Sequence, residues 1–97
     1  MKTYILSNST KKNKRYKIDM GDHSHHFGSD VGKTYVDHND KSKKRAWVAR
    51  HKNDKNYNSK HSAIYHSRHL FWNKPTLAQS IKLYEKKHKV KVINRIK

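Results

Sequence analysis

A formal charge of +17 on 97 residues is the feature that most restricts how this chain can fold. Charges of one sign at this density repel each other in any compact state, so folding carries a cost that an anionic partner would offset. Only 32% of the residues are hydrophobic and 10% are aromatic, which leaves material for one small core built mainly from Tyr, Trp and Phe. We therefore predict a single domain over residues 1–97 that is marginally stable alone and seeks a polyanionic partner.

The absence of cysteine and the shortness of the apolar runs exclude several classes of protein. The chain has no cysteine, which excludes disulfide bridges and thiolate metal sites. Its apolar runs, such as Tyr4–Leu6 and Leu70–Trp72, are much shorter than the roughly 20 residues of a membrane helix. We therefore expect no membrane span and no secretion signal.

Residues 1–30 carry the pattern of a small antiparallel meander. Thr3–Ser7 is β-branched and aromatic, and Tyr16 and Ile18 alternate with polar residues as in a strand with one buried face. A third strand fits His23–Gly28, and the polar, basic segment Asn8–Lys14 fits the turn between the first two strands. Three strands are stable only if their apolar face is covered, so we expect the second half of the chain to cover it.

Residues 34–90 carry the signals of about three helices. Asp37–Asp40 supplies N-cap residues for a helix over Lys41–Lys52, and a second helix fits Ser62–Phe71 after a polar loop at residues 53–60. Thr76–Gln79 reads as a capping box, with Thr76 bonding forward and Gln79 bonding back, at the start of a third helix. Residues 90–97 form either an edge strand or a flexible basic arm. The predicted class is α+β.

The helical spacing also predicts which side chains face the core. In the first helix Trp47, Val48 and His51 share one arc. In the second, the buried face would hold Ile64, Ser67 or Arg68, and Phe71, and in the third it would hold Leu77, Ile81, Tyr84 and His88. Between them we expect a rigid corner, because proline disfavours helix in the residue before it. The residues given a structural role are Trp47, Trp72, Asn73, Pro75 and Thr76.

Three basic clusters are candidates for phosphate contact. They lie on the predicted hairpin, on the first helix and towards the C-terminus, and almost no acidic residues are interspersed. No pattern for reading base edges is visible, so the predicted contacts are with the backbone of a nucleic acid. The predicted polyanion-binding residues are Lys11, Lys12, Lys14, Arg15, Lys43, Lys44, Arg45, Lys86 and Lys87.

Nine histidines and ten aromatic residues admit functional interpretations as well as structural ones. The cluster His23–His26 and the pair His66 and His69 have spacings that zinc accepts, but carboxylates to complete a site are scarce. Protonation near pH 6 that tightens anion binding is the preferred interpretation. The aromatic residues could stack on bases, but we assign them to the core, with Tyr57 as the expected exposed exception.

Signals for catalysis are few. The single glutamate, Glu85, is expected to pair with Lys82 or Lys89. Residues 37–40 (Asp-His-Asn-Asp) superficially resemble a metal-dependent nuclease loop, without further ligands around them. No nucleophile elbow, P-loop or glycine-rich phosphate cradle is present. We predict no enzymatic activity, no metal, no cofactor and no small-molecule substrate.

Two stretches of the second half carry a resemblance to a known family. They are residues 45–52 (Arg-Ala-Trp-Val-Ala-Arg-His-Lys) and residues 71–77 (Phe-Trp-Asn-Lys-Pro-Thr-Leu), the latter followed by Ser80-Ile81-Lys82. With the lysine-rich N-terminal segment and residues 26–29, they are similar to a small basic domain family encoded by nucleocytoplasmic large DNA viruses, over residues 2–90. The histidine cluster at 23–26 departs from the lysine-rich hairpin of that family. The resemblance implies a viral origin and a virion component, present in host cytoplasm during assembly, and brings no catalytic residues.

Charge and resemblance together predict a non-enzymatic, virion-associated protein that binds polyanions, most of all viral DNA, by phosphate contacts without sequence preference. The alternative is a minor capsid or scaffold protein whose basic surface holds the acidic faces of capsid subunits together.

Overall fold

The computed structural model describes residues 2–29, 32–59 and 61–97. Outside these ranges lie Met1 and Asp30, which are the first and last residues of the predicted meander, and Lys60, which is the last residue of the predicted loop. Val31 lies outside them as well. The α+β class is confirmed, with four strands and four helices. In chain order the elements are β1 (Lys2–Asn8), β2 (Lys14–Asp19), β3 (Ser24–Ser29), α1 (Tyr35–His38), α2 (Lys41–His51), α3 (Ala63–Phe71), α4 (Leu77–His88) and β4 (Val90–Asn94).

The four strands form one mixed sheet in the order β3-β2-β1-β4. The predicted meander supplies the antiparallel pairs β1–β2 and β2–β3, and β4 joins the free edge of β1 in parallel, with Val92 beside Tyr4. The C-terminal segment is therefore an edge strand, which settles the alternative left open by its sequence.

One face of the sheet carries the core. Leu6, Ile18 and Phe27 are fully buried on it, as the two-residue alternation of a half-buried strand requires. Helices α3 and α4 cover this face, and the ring of Phe71 stacks on Tyr16 with centroids 4.0 Å apart. Aromatic pairs of this kind contribute about 0.5–1.5 kcal/mol beyond the area that they bury, which suits a core with few aliphatic residues.

The predicted buried face of α3 is largely wrong. Of Ile64, Ser67, Arg68 and Phe71, Phe71 is buried and the other three are only half-buried. The buried face of α3 differs from the predicted face because the rings of Tyr65 and His66 face α4. Their hydrogen-bond partners lie on that helix. The buried residues of α3 are Tyr65, His66, Leu70 and Phe71.

Polar rings hold α3 against α4. His66 is fully buried and its Nδ1 lies 3.3 Å from the hydroxyl of Tyr84, while the Tyr65 hydroxyl lies 2.8 Å from Nε2 of His88. The predicted face of α4 is confirmed at Tyr84, which is buried, and Ser80 joins it. Leu77 and Ile81 pack against the core from the same side.

The caps follow the sequence closely. Asp40 accepts hydrogen bonds from the backbone N–H groups of Ser42 and Lys43, and begins α2 as predicted. The Thr76 hydroxyl oxygen accepts from the N–H of Gln79 at 3.2 Å, and the hydroxyl donates to Oε1 of Gln79 at 3.1 Å, so that the Gln79 side chain bonds back to the hydroxyl of Thr76 rather than to its N–H. The bonds accepted by Asp40 and by the Thr76 hydroxyl satisfy N–H groups that the first turn of a helix leaves unpaired.

Two further expectations are corrected by the structure. Glu85 forms no ion pair with Lys82 or Lys89 within the described ranges, and its carboxylate accepts the N–H of Val92 at 2.8 Å, because β4 folds back beside α4. Tyr57 is only 7% exposed, because the guanidinium of Arg68 lies over its ring and Trp47 approaches from α2.

Candidate polyanion-binding groove

The turn between α3 and α4 joins the helices that build the candidate site. Trp72 is the C-cap residue of α3. Its indole stacks on that of Trp47 in α2, with ring centroids 5.1 Å apart and an angle of 8° between the ring planes. The carbonyl of Asn73 accepts from the Lys44 ammonium, and the carbonyl of Pro75 accepts from the Asn39 side chain at 2.7 Å. These contacts of Trp72, Asn73 and Pro75 link α1 and α2 to the α3–α4 corner.

A groove with a volume of about 520 Å³ lies between α2, α3 and α4, and we call it the helical groove. Four cations from the three helices line it, and no acidic residue of the described ranges does. One lysine of the predicted α2 cluster and two lysines of the C-terminal cluster thus meet here, together with an arginine that was not among the predicted residues. The four cations are Lys44, Arg68, Lys86 and Lys87.

The remaining walls of the helical groove are mostly apolar or aromatic. Leu83 is 42% exposed, and it is the exposed large hydrophobic residue of the described chain. It stands one helical turn before Lys86 and Lys87 on α4, so the three side chains share one side of that helix. The apolar and aromatic lining residues are Val48, Tyr57, Trp72, Leu83 and Tyr84.

The four cations of the helical groove differ in how far burial and contacts with other residues restrict their side chains. Burial, and then the charges of Lys74 and Lys41, lower the pKa of Lys44, whose ammonium also lies over the ring of Tyr35. Arg68 donates to the Asn58 side chain at 2.7 Å and stacks on Tyr57. Lys86 and Lys87 are exposed, so they are the two that can adjust to a ligand.

The other predicted cations lie elsewhere. Lys11 and Lys12 are exposed at the tip of the β1–β2 hairpin, and Arg15 is partly engaged by Asp37 at 3.4 Å. Arg45 faces a shallow hollow on the outer side of α2 and donates to Ser42. Lys14 borders a depression of about 630 Å³ beside β2 and β3.

Lys43 belongs to a second basic hollow, which shares Trp72 with the helical groove. This hollow has a volume of about 380 Å³ and is lined by Trp47 and Trp72 together with Lys33, Lys43 and Arg50. Sequence reasoning missed Lys33, Arg50 and Arg68, because each stands outside the lysine runs. Only the docking of the helices brings them beside the selected residues.

In residues 37–40, the segment that superficially resembles a nuclease loop, the acidic side chains form the N-terminal caps of α1 and α2. Thr34 donates from its N–H and its hydroxyl to Asp37, and Asp40 caps α2. Burial alone would raise the pKa of Asp37, but the Thr34 hydrogen bonds and the charges of Arg15 and Lys33 hold it below its usual value. His38 Nδ1 accepts the N–H of Asp40 at 3.0 Å. These side chains therefore shape the entry to α2.

The histidines are spread between surface and core. Within the described residues no group of three or more metal-ligating side chains is arranged around a common point. His25 packs on His66 with centroids 5.5 Å apart, and burial followed by the charges of His61 and His23 lowers its pKa. The pKa of His26 is lowered as well, by burial and then by Lys17 and Lys11. A lowered pKa makes these two histidines harder to protonate than free imidazoles, which weighs against a gain in anion binding through them.

His69, in the wall of the helical groove, makes the fold sensitive to acid. Burial, and then the charges of Arg68 and Lys87, lower its pKa to about 4. Below pH 6.5 the unfolded chain therefore takes up a proton that the folded chain refuses, and stability falls as the pH drops towards 4. The full loss is about 3 kcal/mol, at about 1.4 kcal/mol per pKa unit.

A His69→Phe variant should lose about 2–3 kcal/mol less stability than the parent between pH 7.5 and pH 4.5, measured by urea unfolding at both pH values. The ring keeps its packing on Tyr65, and the Nε2 atom, buried without a partner among the described residues, is removed. His23→Phe, at an exposed position, is the control and should lose as much as the parent. Parallel losses in all three chains would contradict the assignment to His69.

Comparison with known proteins adds one similarity. A model of a family of unknown function, DUF5754, matches residues 4–51, which cover the strands β1 to β3, apart from Lys2 and Thr3, and the helices α1 and α2. The match includes the lysines of the hairpin and of α2 and ends before α3 and α4, which complete the helical groove. Searches of curated proteins and of solved structures found no match. Among the described residues, no helix has both the length and the apolar character to cross a membrane.

Proposed function

We propose that this chain is a non-enzymatic protein that binds polyanions, nucleic acid above all, through phosphate contacts that do not depend on sequence. One observation carries the proposal: the helical groove gathers Lys44, Arg68, Lys86 and Lys87 from three helices without an acidic residue among them. A cluster of one sign in a concave surface raises the local potential and the local concentration of counter-ions.

The surroundings of the helical groove support a backbone-tracking contact. The second basic hollow shares Trp72 with the helical groove and adds Lys33, Lys43 and Arg50. A polyanion that leaves one hollow therefore meets further cations in the other. Lysines that are free to rotate fit phosphate as point charges and carry no base code, so binding should be blind to sequence.

A gel shift with random-sequence duplex DNA at 100 mM salt tests the proposal. The variant Lys86→Gln/Lys87→Gln removes two groove cations, and Lys82→Gln/Lys91→Gln removes two exposed cations that do not line the groove. The groove variant should bind more weakly than the control variant and show a salt slope lower by about 1.8. No shift with the parent chain would overturn the proposal, and equal losses in the two variants would overturn the placement at the groove.

The virion location is part of the same proposal and rests on the resemblance to a viral family. Mass spectrometry of virus particles that carry this chain, separated into core and shell, should find it in the core with the nucleic acid. Recovery in the shell, together with no gel shift, would favour the alternative in which the basic surface holds acidic capsid faces together.

A further inference from the structure

We propose that the helical groove binds one unpaired nucleotide of a single strand, with the base against its aromatic and apolar wall and the flanking phosphates at Lys86 and Lys87. This inference rests on the proposed function and makes it more specific, because it predicts a preference for single-stranded over duplex nucleic acid.

The first support is the combination of chemistries in one cavity. At about 520 Å³ the helical groove is within the usual range of ligand pockets, roughly 300–1,000 Å³. Phosphate alone would need cations only, yet this groove also presents Val48, Trp72 and Leu83, which are half-buried or exposed. A ligand with both a flat apolar part and negative charges uses the whole surface, and a nucleotide is such a ligand.

The second support is that the aromatic rings are already fixed in place. Trp72 is stacked on Trp47, and Tyr57 lies under the Arg68 guanidinium at 4.2 Å. Arg68 is itself bonded to Asn58 at 2.7 Å. The Trp72 ring and the Arg68 guanidinium are ordered before binding, so they lose little conformational freedom when a base arrives, and bases stack on both kinds of group.

The third support is the arrangement on α4. The side chain of Leu83 is large, apolar and exposed, although this chain has few hydrophobic residues from which to build a core. Lys86 and Lys87 follow it by three and four residues, on the same side of the helix. An apolar contact with two mobile cations beside it matches a base joined to its phosphates.

A duplex cannot use the groove in this way. Its base faces are stacked on one another, and its outer surface offers phosphates and base edges. An unpaired base adds the stacking contact to the phosphate contacts that both forms share. Stacking is tolerant of sequence because every base has a flat face, so the preference for single strands agrees with binding that is blind to sequence.

The test compares three ligands with the full chain at 100 mM salt by fluorescence anisotropy. They are a thymidine 12-mer, an abasic 12-mer with the same number of phosphates, and a 12-base-pair duplex. We expect the thymidine strand to bind at least about fivefold more tightly than the abasic strand. Quenching of tryptophan fluorescence should accompany binding of the thymidine strand and not of the abasic one.

A matched pair of variants locates the effect. Leu83→Gln replaces the exposed groove residue without changing charge, and Ile93→Gln makes a similar exchange at a half-buried position that does not line the groove. The ratio between thymidine and abasic affinities should fall towards one in Leu83→Gln and stay unchanged in Ile93→Gln. Circular dichroism verifies that both variants are folded.

The outcomes separate this inference from the proposed function. Equal affinity for the thymidine and abasic strands overturns the nucleotide site and leaves phosphate binding in place. Failure of every nucleic acid to bind overturns both. An unchanged ratio in Leu83→Gln overturns the assignment to the helical groove, and tighter binding of an acidic, tyrosine-containing peptide than of the thymidine strand overturns the choice of a nucleotide as the ligand.

Discussion

Raising the salt concentration from 50 to 200 mM should weaken binding of this chain to random duplex DNA by about 10³- to 10⁵-fold. This is the largest effect that we expect. It follows because each neutralised phosphate releases condensed counterion, so that log K falls with log salt by about 0.9 per phosphate for duplex DNA. Six to ten phosphate contacts produce the stated range.

The number of contacts can be judged from the cations that the fold leaves free. Lys86 and Lys87 are exposed on the helical groove, and Lys43 is exposed on the second basic hollow. Lys11 and Lys12 add a third position at the hairpin tip. Lys44 and Arg15 contribute less, since one donates to the Asn73 carbonyl and the other pairs with Asp37.

The measurement is a titration by fluorescence anisotropy at five or more salt concentrations, with two unrelated duplex sequences of equal length. Both should have the same slope and nearly the same affinity. A slope shallower than about −2 would mean that few phosphates are contacted, and the polyanion proposal would then be wrong for DNA. A large difference between the two sequences would contradict sequence-blind binding.

Local signals made much of this fold predictable. The N-caps at Asp40 and Thr76 and the alternation in β2 depend on residues a few positions apart, so they can be read from the chain itself. The rotation of α3 could not be read in this way. His66 is part of the core because rings from distant elements surround it, among them Phe27 of β3 and Tyr84 of α4, eighteen residues later.

The pairing of β4 and the composition of the helical groove are also non-local. The alternation of Val90 and Val92 predicts a strand, but its parallel register with β1 depends on how α4 returns the chain to the sheet. Lys44 and Lys86 are more than forty residues apart, and Arg68 has no lysine run to mark it. A charge pattern identifies cations, and only packing decides which of them share a cavity.

The Trp47→Ala substitution should lower the free energy of unfolding by about 3–5 kcal/mol, the cost of truncating a buried Trp. Trp47 is the buried residue of α2, and its ring contacts Trp72, His51 and Tyr57. For a chain of this length, total stability is of the order of 5–15 kcal/mol, so a large part of it would be lost. Urea unfolding measures the change, with Val48→Ala as a half-buried control on the same helix, expected to cost less than about 1.5 kcal/mol.

Trp47→Ala also tests whether α2 opens locally or unfolds only together with the sheet. Its docking relies on the tryptophan stack and on the bond from Lys44 to Asn73, so we expect α2 to open locally before the sheet unfolds. Hydrogen exchange should then show α2 amides losing protection in Trp47→Ala by a larger factor than those of β1 and β2. Because the opened helix carries Lys44 and Val48 away from the helical groove, affinity for single strands should fall in parallel. Equal loss of protection in α2 and in the central strands would show instead that α2 belongs to the global folding unit, and the tryptophan pair would then stabilise the whole fold rather than the groove.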